Sequence, residues 1–184
     1  EYCTTIWPRI APFVVARPLA LLRCPDGIAK ACFFQKHSWR GMNKAIKVRR
    51  DTDGSEMLAI DDLDGLIALV QAGSLEIHPW GSTLADVEEP DTLVFDLDPG
   101  EGVNWPAMVA GARDVKARLE SEGLPAFVKT SGGKGLHVVV PLRPHAGWVD
   151  AKAFAKGLAE AMAADEPKLF IAVATKARRK GRIP

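Results

Sequence analysis

The chain has 184 residues, of which 47% are hydrophobic and 26% charged, and 24 Lys and Arg against 23 Asp and Glu give a formal net charge of +1. These proportions are ordinary for a globular protein with a real core, and the apolar runs are too short for a transmembrane helix, so we expect no membrane association. Three cysteines without a C-x-x-C pair favour reduced thiols in a cytoplasm over a disulfide framework or a zinc site.

The first third of the sequence contains short apolar runs separated by turn signals. Residues 1–20 form an amphipathic start that Pro8, Pro12 and Pro18 are expected to interrupt, because proline removes a helical hydrogen bond. A strand is predicted over Leu19–Arg23, where a Pro-Asp-Gly turn signal follows. A second short apolar run covers Ala31–Gln35.

A long polar stretch then separates these runs from the next elements. Residues 36–55 are basic and contain glycine, which predicts an exposed loop. A strand is predicted over Met57–Ile60, and either Asp61 or Asp62 is expected to cap the helix that follows. Alternating polarity predicts another strand over Leu75–His78.

The second half has a clearer order of elements, which reads β-α-β-β-α-β. A first strand is followed by a helix capped by Asn104, two strands joined by a glycine-rich turn, a helix capped by Asp150 and a last strand. This order is the split-βαβ layout of ferredoxin-like and RNA-recognition-type (RRM-like) sheets. We therefore predict an α+β fold with an N-terminal α/β lobe over about 1–85 and an RRM-like core over about 86–184. The predicted strands of this core are Thr92–Asp98, Ala126–Thr130, Leu136–Val140 and Leu169–Val173.

Two aspartates, Asp96 and Asp98, end the first strand of the predicted core. Because side chains alternate along a strand, both carboxylates emerge on the same face. Asp98 before Pro99 and Gly100 is also compatible with a simple turn, but Asp96 has apolar strand neighbours, among which a lone carboxylate would be costly. Adjacent anions repel unless a cation lies between them, so we predict a two-metal site that activates a hydroxyl and stabilises leaving phosphates.

A glycine-rich turn from Ser131 to Gly135 leads into the strand that carries His137. It matches neither a Walker A loop nor a dinucleotide fingerprint, and glycines with a lysine are common in flexible hairpins. Glycines nevertheless let backbone N–H groups approach phosphate oxygens, while Ser131 and Lys134 add a donor and a charge. The acid pair and this turn together predict metal-dependent phosphoryl or nucleotidyl chemistry.

Basic and aromatic residues indicate contacts with nucleic acid. No acid occurs between Asp26 and Asp51, where Lys and Arg recur, and a second basic run covers Lys176–Arg182. Basic runs are usually solvated faces, but two of them around an acidic metal candidate fit a protein that binds a phosphate backbone. Of the adjacent rings Phe33 and Phe34, at least one is expected in the core; the other is available to stack on a base, with Lys36 near a phosphate.

These segments resemble the primase-type polymerase domain of bacterial multifunctional DNA ligase D, which belongs to the archaeo-eukaryotic primase superfamily. The resemblance rests on the acidic segment Phe95–Gly100 and on the turn segment Ser131–His137. It extends over nearly the whole chain, because three further blocks match in the right order. These blocks are Arg17–Gly27, Phe33–His37 and Glu76–Gly81.

The resemblance implies a primase-like core that adds NTPs or dNTPs to a primer at DNA ends in non-homologous end joining. It implies Mn²⁺ or Mg²⁺ as cofactor, with Asp96 and Asp98 as catalytic metal ligands. It also implies primer-template DNA as substrate, Ku and a ligase domain as partners, and a cytoplasmic, nucleoid-associated location in a bacterium. The implied nucleotide-binding residues are His78, Ser131, Lys134, His137, Arg178 and Arg179, and the implied DNA-binding residues are Phe33, Phe34 and Lys36.

In that family a strand directly after the basic block carries a third metal-binding aspartate, and this sequence ends at Pro184, before the matching position. We therefore expect the parent protein to polymerise nucleotides and this chain to be weakly active or inactive. A phosphatase of the haloacid-dehalogenase type is disfavoured, because Gly100 stands where that class has Thr or Val. The open alternative is a non-catalytic nucleic-acid-binding RRM-like module, although such modules have no use for paired aspartates.

Overall fold

The computed structural model describes residues 1–143, 146–173, 175 and 179–184. The chain divides into two compact units, Glu1–Val87 and Glu88–Pro184, and each has its own hydrophobic core. Both units combine helices with antiparallel sheets, so the α+β class predicted from the sequence is confirmed. None of the described helices is long and apolar enough to cross a membrane.

The first unit is built on a five-stranded sheet. Its strands are β1 (Leu19–Arg23), β2 (Phe33–Gln35), β3 (Lys47–Arg50), β4 (Glu56–Ala59) and β5 (Ser74–Pro79). Strand β1 is central: one edge pairs with β5, and the other pairs with β2 and, at Leu19, with β4. Leu21 and Leu58 are fully buried, which places the core of this unit against β1 and β4.

The helix α1 (Tyr2–Val14) runs through both Pro8 and Pro12, so the prediction that these prolines interrupt it is wrong. The two prolines are four residues apart, on one exposed face of the helix, where water can hydrate the carbonyl groups that they leave unpaired. The other face packs on the core through Trp7 and Val14. Tertiary packing therefore outweighs the two lost hydrogen bonds.

The helix α2 (Leu63–Gln71) begins at one of its two candidate caps. The Asp62 carboxylate accepts a hydrogen bond from the Gly65 N–H at 3.0 Å. Asp61 instead forms an ion pair with Arg49, with 3.1 Å between Oδ2 and Nη2. Asp62 is therefore the cap, because its side chain accepts a hydrogen bond from the backbone of the third residue of the helix.

Strand β3 lies inside 36–55, which the sequence predicted to be a loop throughout. Val48 is its single apolar residue among three cations, so the sequence has no alternating pattern there. The strand exists because it pairs with β4 from Lys47 opposite Ala59 to Arg50 opposite Glu56. Charged side chains on a strand at the edge of a sheet discourage pairing with other chains.

A disulfide joins Cys24 to Cys32, so the prediction of reduced thiols is wrong for these two residues. They extend the β1–β2 register, in which Arg23 lies opposite Phe33, by one more pair. Their Cα atoms are 4.4 Å apart, as in a non-hydrogen-bonded pair of an antiparallel ladder. The bond closes the loop that carries Ile28, which is 77% exposed.

Replacing Cys32 by Ser should lower the free energy of unfolding of the first unit by about 2–3 kcal/mol, because closing a loop of this length removes that much chain entropy from the unfolded state. Urea unfolding followed by tryptophan fluorescence, with and without dithiothreitol, measures the loss. The variant should not respond to dithiothreitol, whereas Cys3→Ser, which removes the free cysteine, should keep the full response. An unaltered chain that is indifferent to dithiothreitol would contradict the pairing.

The second unit has a three-stranded sheet covered on one face by two helices. Its strands are β6 (Thr92–Leu97), β7 (Phe127–Thr130) and β8 (Leu136–Pro141), and its helices are α3 (Trp105–Ser121) and α4 (Trp148–Asp165). The sheet order is β6-β8-β7, with both pairings antiparallel. Val138 and Val140 on the inner face pack with Met108, Leu119 and Met162 of the helices. The outer face of this sheet is left open.

Two predictions for the second unit are wrong. Helix α4 is capped by Gly147, and Asp150 lies in its first turn. The segment Leu169–Val173 is not a strand: it makes a single parallel bridge, between Phe170 and Ile183. Phe170 is 5% exposed, so the apolar pattern that indicated a strand reflects burial against the core instead of pairing in the sheet.

Candidate functional site

The open face of the second sheet carries a row of three polar side chains. Asp96 on β6 lies opposite His137 on β8, and His137 lies opposite Lys129 on β7. Directly opposed residues of antiparallel strands project to the same face. The His137 Nε2 atom is 3.5 Å from the Asp96 Oδ1 atom, and the Asp96 side chain is 67% exposed. The predicted acid and the predicted histidine therefore meet on an accessible surface.

The His137 ring presents one polar atom to this face. Its side chain is 25% exposed, and Nε2 is the atom that faces Asp96. Its Nδ1 atom is buried and has no hydrogen-bond partner within the described ranges. Buried ring nitrogens without a hydrogen-bond partner are uncommon, so the unpaired Nδ1 atom is a distinctive property of this histidine.

The glycine-rich turn lies against the end of β6. A Cβ atom on Gly135 would be 2.6 Å from the Leu97 carbonyl oxygen and 3.6 Å from the Asp98 Cα atom. Only glycine allows this approach, which brings the turn next to the point where Asp98 leaves the strand. The Ser131 hydroxyl donates to the Gly135 carbonyl at 3.5 Å, and Lys134 is exposed without an ion-pair partner among the described residues. The acid pair and the turn are therefore adjacent, as the sequence predicted.

Asp98 forms an ion pair with Arg179. The Arg179 Nη1 atom is 2.9 Å from Asp98 Oδ2, and the side chains of Arg179 and Asp98 are 13% and 48% exposed, respectively. The described end of the basic run thus returns to the acid pair. Arg178, the other arginine predicted to bind the nucleotide, lies outside the described residues.

A second group of predicted residues lies on the first sheet. Phe34 and Glu76 both lie opposite Leu22 of β1, and His78 lies opposite Ala20, so these side chains share a face. Phe34 is 61% exposed, and its ring meets the His78 ring edge-on with 5.5 Å between centroids. The Glu76 carboxylate contacts His78 Nε2 at 2.7 Å and orients the ring.

Phe33 projects to the opposite face of the same sheet, where it lies in register with Arg23. The Arg23 guanidinium is 4.0 Å from the Trp39 ring centroid and 5.7 Å from that of Phe33, and it donates to the Ala72 carbonyl at 3.0 Å. Burial lowers the pKa of Arg23, but a guanidinium stays charged at neutral pH. Phe33 is still 45% exposed and Phe34 61%, so the prediction that the core takes at least one of the two rings is wrong.

Two of the contacts described above were missed from the sequence. Lys129 was identifiable, because a turn over Ser131–Gly135 pairs Thr130 with Leu136 and therefore Lys129 with His137. The link between Asp98 and Arg179 had no signal in the sequence, since it depends on how a distant irregular segment packs. Lys36, predicted to bind DNA, is exposed in the first unit and has no ion-pair partner in the part of the chain described.

The donors at the acid pair fit a hard divalent cation. Asp96 and Asp98 supply carboxylate oxygens that reach solvent. Mg²⁺ and similar ions are commonly held by one or two carboxylates together with water and substrate phosphates. Within the described residues there is no cluster of three or more His, Cys, Asp or Glu side chains arranged to hold a metal.

Comparison with known proteins gives consistent matches along the chain. The family model "LigD, primase-polymerase domain" matches residues 1–183. The multifunctional non-homologous end joining protein LigD of Pseudomonas aeruginosa is 39% identical over 170 residues, which cover 91% of this chain and 20% of that protein. The protein of the same name from Mycolicibacterium smegmatis is 32% identical over 193 residues, covering 100% of this chain and 25% of its relative. The chain thus spans about a fifth to a quarter of these relatives.

A solved structure also matches over nearly the full chain. It is the polymerase domain from Mycobacterium tuberculosis ligase D in complex with DNA, with a TM-score of 0.86 and 29% sequence identity. The match covers 99% of this chain and 67% of that one. The fold described above is therefore that of a known polymerase domain.

Proposed function

The chain belongs to the LigD primase-polymerase domain family, and we propose that it supplies the acid pair and the phosphate-binding groups of a metal-dependent nucleotidyltransferase that acts at DNA ends during non-homologous end joining. The observation that supports this most directly is the open face of the second sheet. There Asp96 faces His137 and Lys129, next to a glycine turn that abuts Asp98. Phosphoryl transfer assisted by two cations uses carboxylates that hold the metals beside groups that bind phosphate.

In this proposal Asp96 and Asp98 hold Mn²⁺ or Mg²⁺. When bound, the cation neutralises phosphate charge and makes a primer hydroxyl easier to deprotonate. The two carboxylates fix where positive charge can accumulate, because Asp96 is held on strand β6. Asp98 lies one residue beyond that strand, and its carboxylate is paired with Arg179.

The triphosphate binds, in this proposal, along the glycine turn. The glycines of the turn have no side chain that would block access to their backbone N–H groups. Ser131 and Lys134 add a hydroxyl donor and an ammonium group. His137 and Lys129 extend this donor surface along the sheet toward Asp96. Arg179 adds a guanidinium, which suits phosphate oxygens by its planar fork.

DNA contacts are proposed for the first unit. Phe34 offers an exposed ring for base stacking, Lys36 offers an exposed ammonium for a phosphate, and Phe33 is half exposed beside Arg23. The related Mycobacterium tuberculosis domain was solved in complex with DNA, which supports DNA as a partner. We further propose His78 as a nucleotide contact, oriented by Glu76, and Ku and a ligase domain as partners.

Calorimetric binding of a non-hydrolysable nucleoside triphosphate to this chain tests the proposal. Affinity in Mn²⁺ should exceed affinity in EDTA by about tenfold or more, since a bridging cation adds at least one strong contact worth about 1.4 kcal/mol. Asp98→Ala should remove most of that gain, whereas Glu160→Gln, an exposed carboxylate on α4, should not change it. Equal binding with and without Mn²⁺ would contradict the metal site and favour a non-catalytic nucleic-acid-binding module.

A further inference from the structure

The carboxylate of Asp98 already has a cationic partner. Arg179 Nη1 lies 2.9 Å from Asp98 Oδ2, so the group proposed to bind a divalent cation is neutralised by a guanidinium. A cation coordinated by the same carboxylate would stand within a few ångströms of that guanidinium. Two positive charges at this separation repel, and the repulsion is strongest where solvent screening is weakest. Only 13% of the Arg179 side chain is exposed, so the arginine end of the pair is poorly screened.

Close backbone contacts hold the segment that carries Arg179 next to the end of β6. A Cβ atom on Gly100 would lie 1.7 Å from the Arg179 carbonyl oxygen, so residue 100 must be glycine for the arginine segment to reach this position. Two backbone hydrogen bonds fix the same contact: Gly100 N–H donates to the Arg182 carbonyl at 3.0 Å, and Gly181 N–H donates to the Glu101 carbonyl at 2.8 Å.

The neighbouring ion pair between Lys180 and Glu101 is longer and much more exposed than the Asp98–Arg179 pair. Lys180 Nζ is 3.9 Å from Glu101 Oε2, and the two side chains are 79% and 83% exposed. Exposed pairs of this kind contribute little and are screened by salt. The Asp98–Arg179 pair is shorter, more enclosed and held through backbone contacts on both sides.

We propose that Arg179 is an exchangeable counter-ion: it neutralises Asp98 until a divalent cation takes that carboxylate, and it then turns to the triphosphate. The inference rests on the proposed function, because it concerns the same acid pair. Its consequence is a positive coupling between the two ligands. The cation releases the guanidinium that the nucleotide uses, and the nucleotide draws the guanidinium away from the carboxylate that the cation uses. Such a coupling is reciprocal, so either ligand must raise the affinity for the other.

The proposal predicts an increase in affinity on removing a side chain from the site. Without nucleotide, Arg179→Gln should bind Mn²⁺ roughly three- to tenfold more tightly than the unaltered chain, a typical effect of removing a competing partly buried ion-pair partner. The same variant should bind the triphosphate more weakly, and added triphosphate should raise its Mn²⁺ affinity less than it does in the unaltered chain. Arg179→Lys, which keeps a competing charge, should stay closer to the unaltered chain.

The measurement is a titration of this chain with Mn²⁺, in which the electron paramagnetic resonance signal reports free Mn²⁺. It is run alone and with a non-hydrolysable nucleoside triphosphate. Lys180→Gln is the matched control, because it removes one positive charge one residue away without touching Asp98. Gly100→Ala is a second variant that keeps every charge but pushes the Arg179 backbone away, and it should also tighten Mn²⁺ binding without nucleotide. Circular dichroism establishes that each variant is folded.

The outcomes separate this inference from the proposed function. Weaker or unchanged Mn²⁺ binding by folded Arg179→Gln would overturn the exchange, and weaker binding would make Arg179 a positioning residue for the carboxylate. An equal gain in Lys180→Gln would also overturn it, because the effect would then be one of net charge. If Asp98→Asn leaves Mn²⁺ binding unchanged, the metal site itself fails, and the exchange fails with it.

Discussion

An Asp96→Asn variant should bind Mn²⁺ about a hundredfold more weakly than the unaltered chain, a loss of about 2.7 kcal/mol at 1.36 kcal/mol per tenfold. The substitution removes one of two anionic ligands and leaves the other paired with Arg179. Asparagine has nearly the same shape, and Asp96 is 67% exposed on the open face, so the sheet should keep its register and stability. The loss is therefore electrostatic and not a consequence of unfolding.

Mn²⁺ titration followed by electron paramagnetic resonance measures this loss, and thermal unfolding of the same samples reports any change in the fold. Glu160→Gln removes an equal charge from the same unit at an exposed site on α4, so it should bind Mn²⁺ as the unaltered chain does. If Asp96→Asn bound Mn²⁺ with unchanged affinity, the carboxylate would be a structural partner of His137 and not a metal ligand.

Gly135→Ala is expected to weaken triphosphate binding about tenfold and to destabilise the second unit by about 1–3 kcal/mol, the usual range for forcing a methyl group into a packed site. Its Cβ would be 2.6 Å from the Leu97 carbonyl oxygen, which is backbone and cannot rotate away. The turn must then move off the end of β6. That movement separates Ser131 and Lys134 from the acid pair.

The same turn provides the control. Gly133 has an ordinary φ, and an added Cβ would meet only the Ser131 Oγ atom, at 3.8 Å. Gly133→Ala therefore makes the same chemical change in the same turn without the clash, and its stability and triphosphate affinity should stay near those of the unaltered chain. Calorimetric titration in Mn²⁺ and urea unfolding give both quantities. Equal effects of the two variants would mean that turn flexibility, and not its position against β6, governs binding.

Local sequence patterns correctly predicted the strands and helix caps that depend on residues close together in the sequence. Apolar runs bounded by turn residues located β1, β6 and β8 closely, and Asn104 caps α3 as expected, because its side chain accepts a hydrogen bond from the Ala107 N–H at 2.9 Å. The two-residue period also placed His137 on the open face, with Leu136 and Val138 buried behind it. The acid pair and the glycine turn came together for the same reason, because they lie at facing ends of paired strands.

The features that were missed depend on partners far away in the sequence. Strand β3 needs β4, and α1 keeps its two prolines only because Trp7 and Val14 pack on the core. The Cys24–Cys32 bond follows from the β1–β2 register, which spacing alone does not give. Burial of Phe170 produced an apolar pattern like that of a strand. The periodicity of apolar residues in a sequence indicates which residues are buried, but it does not indicate which distant segment covers them.

The register of the second sheet also sets the order in which its site can form. Lys129 and His137 meet within one hairpin, a contact between near neighbours in the sequence that can form within microseconds. Asp96 meets His137 only after α3 and the whole hairpin have been brought back to β6, a contact of high sequence separation that carries a larger loop-closure cost. The donors for phosphate can thus assemble before the acids reach them. A divalent cation shared between these acids and a phosphate held by those donors would then select the completed unit, and would raise its melting temperature by mass action on the native state.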